Sequence, residues 1–206
     1  DVEPVWGGTT DVGSITLVSP KVRVGYFNAS IGAGTESQRQ IIVRAGYEPV
    51  HVTNLSTQDM TAIDMLMVDS SRQFYDNGSY SSYRNRVFSF VNDGGVLIFN
   101  EEYNPSGDMG DLPGQPAIES VWMGSSYPSY SPAYRWSELS EGKGGSWWPY
   151  SKNSYYNYWG HSYMRLETLG QSVMPLTFSG IRADKRVMSV RYAYGQGQVY
   201  FGYQPN

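Results

Sequence analysis

Two carboxylates and a histidine are the residues of this chain whose chemistry is easiest to name. Asp69 and Glu101 each come at the end of an apolar run, and His161 is one of only two histidines. Carboxylates with an imidazole bind divalent cations, and paired carboxylates act as acid and base in glycoside hydrolysis. A hydrolase using these residues is one interpretation. The other is that they cap helices and bind loop backbone, as Asp often does.

Further polar residues follow the same apolar runs, so a ligand site is predicted where those runs end. Open α/β sheets bind ligands in the crevice beyond the carboxyl ends of their strands. The residues predicted to line this crevice are Asn28, Ser30, Asp69, Ser70, Asn100, Glu101 and Glu102. Asn100 and Glu101 are predicted to form its floor.

A glycine-containing loop with Asp108 and Asp111 makes calcium the only cofactor that the sequence suggests. Asn104 lies in the same loop, and Asp76 with Asn77 forms a second polar pair. Neither group has the Asp-x-Asn/Asp-x-Asn/Asp-Gly spacing of a helix–loop–helix calcium site, so turn formation is the better explanation. No other cofactor is expected.

Aromatic residues are concentrated in one stretch of the chain. Among 206 residues there are 18 Tyr, 6 Trp and 7 Phe, and thirteen of these aromatics lie in residues 122–163, among Gly, Ser, Pro and Asn. Flat rings with polar edges stack on sugars and anchor protein partners. A carbohydrate or protein ligand is therefore expected, with stacking by Trp147, Trp148, Tyr156 and Trp159. The alternative is that the rings form a small core of their own.

Alternating strand and helix patterns position the candidate residues. Apolar and β-branched runs predict strands at residues 21–27, 47–52, 64–68 and 96–99. A capping box of Thr35 and Gln38 predicts a helix that ends at Gly46, Ser56 with Asp59 predicts a short helical turn, and residues 80–92 show helical spacing. We therefore predict an α/β, flavodoxin-like domain with a mostly parallel sheet flanked by helices.

The rest of the chain departs from this alternation. Residues 1–20 are predicted to be an N-terminal arm with an edge strand at 14–18, and residues 21–206 to be a single domain. Residues 104–171 lose all periodicity and are predicted to be a long, irregular, aromatic-rich insertion over the carboxyl edge of the sheet. Residues 186–193 and 198–202 alternate like strands around a glycine-rich turn, which predicts a C-terminal β-hairpin.

Composition excludes several classes of protein. The absence of cysteine excludes disulfides, Cys-ligated metals and Cys nucleophiles. A net charge of -4 with four lysines argues against nucleic acid as a partner, and no apolar run approaches the roughly 20 residues of a membrane helix. Because the chain begins at Asp1 without an initiator Met or a signal-like stretch, a mature or excised domain is expected. The absence of Cys, the few Lys and the abundant Tyr, Ser, Gly and Asn favour an exported bacterial protein, extracellular or at the cell surface. A cytoplasmic location is the alternative.

Two segments carry a resemblance to a known family. The run Phe88-Ser-Phe-Val-Asn-Asp-Gly-Gly-Val-Leu-Ile-Phe-Asn-Glu-Glu, followed much later by Gly195-Gln-Gly-Gln-Val-Tyr-Phe-Gly-Tyr-Gln-Pro-Asn, resembles the elbow and closing strand of class I glutamine amidotransferase-like domains. These include the ThuA-like proteins and the amidotransferase-like module of biotin-protein ligases. The resemblance implies triad positions at Glu101, Gln204 and Asn206. With no Cys nucleophile and Gln as base, the triad is lost and amidotransferase activity is rejected.

The leading interpretation is a pseudoenzyme that serves as a binding module of an exported protein. Its aromatic insertion would bind a carbohydrate or a protein partner over a degenerate active-site crevice. One alternative is a ThuA-like or glycosidase-like hydrolase using Asp69, Glu101 and His161. A second alternative is a purely structural module of a larger surface protein.

Overall fold

The described part of the protein is a mixed sheet with helices packed on it. The computed structural model describes residues 21–28, 35–70, 83–101, 112–114, 116–122, 162–178 and 186–203. Within these ranges nine strands form one sheet, accompanied by two α-helices. The protein is thus an α/β domain with few helices, as predicted at that level. The predicted arm at residues 1–20, with its edge strand, lies outside the described residues.

One half of the sheet consists of five parallel strands. Their order is β2-β1-β3-β4-β9, and each pair of neighbours runs parallel. The strands are β1 (Arg23–Asn28), β2 (Glu48–His51), β3 (Met65–Ser70), β4 (Val96–Glu101) and β9 (Gly197–Gly202). Apolar runs such as these are typical of parallel strands, which are covered on both faces. The four predicted parallel strands in the first half of the chain are confirmed.

The two helices cover opposite faces of the parallel strands. Helix α1 (Thr35–Arg44) buries Ile42 in a small cluster with Val24 and Tyr26 of β1, against which Met65 and Met67 also pack. Helix α2 (Arg84–Asn92) contributes to the larger core, which contains the alternate residues of the strands. The members of that core on α2, β3 and β4 are Val87, Phe90, Val91, Leu66, Val68, Leu97 and Phe99. Each face of the sheet therefore has its own core.

The other half of the sheet is antiparallel. Strand β8 (Arg186–Tyr194) pairs with β9, and β6 (Ser162–Arg165) and β5 (Ser120–Trp122) follow it outward. Strand β7 (Met174–Phe178) also pairs with β8, through a register shift near Pro175. Residues 104–171 were predicted to be one irregular insertion. That prediction is wrong for β5 and β6, which lie within this range and belong to the sheet.

The predicted C-terminal hairpin is confirmed, and its glycines allow it to pack closely against the end of α2. Tyr194 pairs with Gly197 around a two-residue turn, in which Gly195 has a φ of 58°. The backbone N–H of Gln196 donates to the carbonyl oxygen of Asn92, the last residue of α2, at 2.9 Å. The hairpin is therefore positioned by direct backbone contact with the helix.

Replacing Gly197 with alanine is expected to destabilise the protein strongly. A Cβ atom at this position would lie 2.2 Å from the carbonyl oxygens of Val91 and Gly95, so the backbone would have to move. We expect Gly197→Ala to lower the free energy of unfolding by about 3 kcal/mol or more, as measured by urea denaturation. Gly170→Ala is the matched control, because its Cβ would approach no atom closer than 3.5 Å. Equal stability of the two variants would contradict the contact.

Two buried tyrosines make the fold sensitive to alkaline pH. Burial raises the pKa of the Tyr83 and Tyr192 phenols above their usual range, because the ionised ring would lose its hydration. The nearby Tyr194 adds a smaller effect that raises the pKa of Tyr192 further. The hydroxyl of Tyr192 also donates to the carbonyl oxygen of Pro113 at 2.9 Å. This bond holds the segment before β5 against β8.

Tyr192→Phe is expected to destabilise the protein at pH 8 and not at pH 11. At pH 8 the variant loses the bond to Pro113 and should be less stable by about 1 kcal/mol. Above pH 10 the unfolded wild-type chain ionises Tyr192 while the folded protein does not, which costs the wild type about 1.4 kcal/mol at pH 11. The variant does not have this cost, so the difference in free energy of unfolding between the wild type and the variant should disappear at pH 11. Urea denaturation at the two pH values tests this, and a constant gap would refute it.

Candidate functional site

The carboxyl ends of three parallel strands bring three polar residues into one row. Asn28 of β1 lies opposite Asp69 of β3, which lies opposite Asn100 of β4. Residues opposite one another in paired strands have side chains on the same face of the sheet. That face is the one covered by α1, because Tyr26 and Met67, two residues earlier in β1 and β3, belong to the cluster on that face. We call Asn28, Asp69 and Asn100 the strand-end row.

A side-chain hydrogen bond joins two members of the strand-end row. Asn100 Nδ2 donates to Asp69 Oδ1 at 2.9 Å. Asp69 is only 1% exposed, whereas Asn28 and Asn100 are partly exposed. Burial of an ionised carboxylate costs several kcal/mol unless hydrogen bonds or opposite charges compensate for the lost hydration. The amide of Asn100 is therefore part of what makes a carboxyl group tolerable at this position.

Glu101 lies on the opposite face of the sheet from Asp69. Consecutive strand residues alternate between faces, so Glu101 shares the α2 face with Phe99, and its partner in the register is Ser70 of β3. The register therefore does not bring Asp69 and Glu101 together as the predicted carboxylate pair requires. Glu101 is also only 1% exposed. It is not an exposed carboxylate, because it is the last residue of a strand whose alternate residues face the larger core.

Gln38 of α1 adds a further buried polar group beside the strand-end row. Its side chain is 1% exposed, and Nε2 donates to the carbonyl oxygen of Phe27, the residue before Asn28, at 3.4 Å. The helix predicted from the pair Thr35 and Gln38 does begin at Thr35. Gln38 does not make the return bond of a capping box, because its Nε2 reaches β1 instead. No described residue donates to Gln38 Oε1. The available sequence signal was the spacing of four between Gln38 and Ile42, which places both side chains toward the sheet.

A second polar contact, which the sequence patterns did not reveal, lies near the end of β9. The hydroxyl groups of Tyr203 and Ser120 are 2.5 Å apart, and the fully buried Tyr203 ring packs edge-on against Phe201 with a centroid distance of 5.1 Å. This bond ties β5 to the end of the parallel half of the sheet. Ser120 lies within the segment predicted to be irregular, so no pattern indicated its role.

The remaining candidates lie outside the described residues. They are Ser30, Glu102, His161, the calcium candidates Asp108 and Asp111 with Asn104, Asp76 and Asn77, the triad positions Gln204 and Asn206, and the stacking candidates Trp147, Trp148, Tyr156 and Trp159. Among the residues that the structure does describe, no three His, Cys, Asp or Glu side chains are grouped closely enough to hold a metal ion. Neither described helix has the length and apolar character needed to cross a membrane.

Comparison with known proteins gives similarity only at the level of the fold. No family model and no curated protein matches the chain. The cold-adapted β-galactosidase from Rahnella sp. R3 has a similar fold, with a TM-score of 0.52 and 12% identity over 91% of this chain and 29% of that enzyme. Gan42B, a GH42 β-galactosidase from G. stearothermophilus, has a TM-score of 0.48 and 15% identity over 91% of this chain and 28% of its own. The exo-β-1,4-mannosidase Op5Man5 from Opitutaceae bacterium strain TAV5 has a TM-score of 0.47 and 11% identity, over 90% of this chain and 31% of its own. The chain thus spans less than a third of the length of each.

These comparisons correct the resemblance to class I glutamine amidotransferase-like domains. The solved structures named above are β-galactosidases and a mannosidase, so they support neither that family nor a pseudoenzyme with a degenerate triad. Local packing explains the glycines on which the resemblance depended. Gly94, with a φ of 111°, follows α2, and a Cβ on Gly95 would lie 2.4 Å from the ring of Phe90. Such glycines fit any strand packed tightly after a helix.

Asn100→Ala is expected to reveal how strongly the fold depends on the strand-end row. The substitution removes a donor from the buried carboxyl group of Asp69, so we expect the free energy of unfolding to fall by about 1–3 kcal/mol. Asn92→Ala is the control, because the Asn92 amide contacts Asp93 on the exposed surface and its loss should change stability by about 0.5 kcal/mol or less. Thermal and urea denaturation provide the measurements. Equal losses in both variants would contradict the role of Asn100.

Proposed function

We propose that this chain is a non-catalytic, carbohydrate-binding domain of a larger exported protein. The observation that carries the proposal is the strand register, which separates the two buried carboxyl groups onto opposite faces and joins Asp69 to an amide instead. The finer fold that we propose is flavodoxin-like. The parallel order β2-β1-β3-β4-β9 and the helices on opposite faces support it, because that order has the flavodoxin pattern 2-1-3-4-5.

The separation of the carboxyl groups argues for binding over hydrolysis. Glycosidases place two carboxyl groups on either side of one glycosidic bond, so both must reach the same cavity. Here Asp69 faces the α1 side and Glu101 the α2 side, and each is 1% exposed. Asn100 is instead partly exposed beside Asp69, and its amide offers both a donor and an acceptor to sugar hydroxyls.

The similarity to a β-galactosidase supports a carbohydrate as the ligand. The chain matches less than a third of the Rahnella enzyme, which is consistent with its being one domain of a larger carbohydrate-active protein. The aromatic-rich segment supports the same ligand class. Trp147, Trp148, Tyr156 and Trp159 remain predicted stacking residues, since flat rings with polar neighbours suit sugar faces. A protein partner would use the same rings as anchors, and the binding experiment separates the two.

A second candidate function is glycoside hydrolysis by Asp69, Glu101 and His161. The observation that favours it is the similarity of fold to a β-galactosidase. It requires Glu101 to turn toward the face that carries Asp69, against the alternation of β4. Hydrolysis is therefore less well supported than binding.

The purified chain is expected to bind lactose without cleaving it. Titration calorimetry should show saturable binding, and Trp147→Ala and Trp148→Ala should each weaken it at least tenfold if the rings stack on the sugar. Trp6→Ala is the matched control, because Trp6 lies outside the aromatic-rich segment. Its affinity should equal that of the wild type.

Two outcomes would contradict the proposal. Absence of binding to lactose and to a panel of neutral glycans would exclude a carbohydrate-binding domain and leave a protein partner or a structural module. Release of galactose from lactose that is abolished by Glu101→Gln would instead support the hydrolase. Activity that persists in that variant would indicate contamination, and the binding proposal would stand on the titration alone.

A further inference from the structure

We infer that Gln38 and the strand-end row form a subsite for a neutral, hydroxyl-bearing ligand, one that presents several hydroxyl groups as a saccharide does. This inference rests on the proposed function and assigns to it residues that the aromatic-rich segment does not include. The subsite lies on the α1 face, at the carboxyl ends of β1, β3 and β4.

The first support is the amide of Gln38, whose carbonyl oxygen is buried without a described donor. Nε2 is held by the carbonyl oxygen of Phe27, so the side chain is fixed at the end of β1 directly before Asn28. Oε1 accepts no hydrogen bond from any described residue, although the side chain is 1% exposed. A buried acceptor without a donor carries a free-energy cost. A ligand hydroxyl that donates to Oε1 would remove this cost.

The second support is the mixture of donors and acceptors along the row. Asn100 uses one N–H of Nδ2 for Asp69, and the same amide carries a second N–H and the acceptor Oδ1. Together, Gln38 and Asn100 offer both acceptors and a donor. A hydroxyl group is itself both a donor and an acceptor. Adjacent hydroxyl groups therefore match such a mixture better than a group that can only donate or only accept hydrogen bonds.

The spacing of the row indicates a ligand with more than one hydroxyl group. Gln38 is bonded to β1, and Asn100 belongs to β4. These two strands are two strand spacings, or about 10 Å, apart. Asp69 lies between them on β3. A ligand that contacts both ends must therefore present hydroxyl groups along a length comparable to that of a disaccharide.

The charge of the row restricts the ligand further. A phosphate or sulfate group would lie beside the carboxyl group of Asp69 and would be repelled when that group is ionised. A metal ion would gain nothing from the N–H of Asn100, and the described residues contain no group of three potential acidic or imidazole ligands. A neutral ligand fits the row better than either an anion or a cation.

The test is a titration of lactose against the chain and two subsite variants. Gln38→Leu removes the amide at nearly constant size, and Asn100→Ala removes the amide at the other end of the row. We expect each to weaken lactose binding at least tenfold, which is the effect of losing one well-placed hydrogen bond. Gln58→Leu is the matched control, because the bond that the described residues give the Gln58 amide is to the backbone carbonyl oxygen of the neighbouring Asp59, in the turn before β3. Its affinity should be unchanged, and circular dichroism should confirm that each variant is folded.

The outcomes separate the subsite from the proposed function. If the wild type binds lactose and both folded variants bind it equally well, the subsite is refuted and the carbohydrate-binding function stands. If the wild type binds no neutral glycan, both fail. A second measurement does not depend on the variants: lactose that carries a phosphate on one of its hydroxyl groups should bind the wild type at least tenfold more weakly than lactose, and equal or tighter binding of the phosphate would refute the neutral subsite.

Discussion

The register of the parallel strands is the constraint on which the rest of the structure depends. Pairing of Val68 with Phe99, and of Phe99 with Phe201, aligns the apolar side chains of three strands on the α2 face. The rings of Phe99 and Phe201 stack there with centroids 6.1 Å apart. A slip of one residue would turn every side chain of a strand to the other face. The carboxyl group of Asp69 would then lie in the larger core. The burial of the apolar side chains on the α2 face therefore also determines that the strand-end row lies on the α1 face.

Much of the fold was predictable because it depends on local patterns. Apolar runs indicated β1 to β4, and glycines marked the hairpin. The short helical turn predicted from Ser56 with Asp59 lies at Met60–Ala62, where Asp59 itself is the cap and accepts from the backbone N–H of Thr61. The strands β5, β6 and β7 were missed because they are only three to five residues long and are defined by their pairing, β5 with β6, and β6 and β7 with β8. In β7, Pro175 and a register shift further obscure the alternation that would identify a strand.

The candidate site was predictable in its location and not in its arrangement. Strand ends indicated Asn28, Asp69 and Asn100 individually, because polar residues follow apolar runs there. Which of them share a face depends on the register between strands far apart in the sequence, and this separates Glu101 from Asp69. Gln38 resembled a helix cap because Gln at the fourth position of a helix often has that role. Only tertiary packing of α1 against β1 assigns its amide to the sheet.

The unequal size of the two cores explains why a polar site is compatible with one face of the sheet. On the α2 face the larger core continues through β9 to β8, so a cavity able to admit substrate to Glu101 would disrupt many buried contacts. On the α1 face the small cluster around Val24, Tyr26 and Ile42 lies two residues before the strand ends, where Asn28 and Asp69 follow. Hydrogen bonding at that end leaves both cores intact. A ligand that supplies hydroxyl groups there would compensate buried polar atoms without rearranging the fold, whereas acid–base catalysis would require Glu101 to leave the face on which the register holds it.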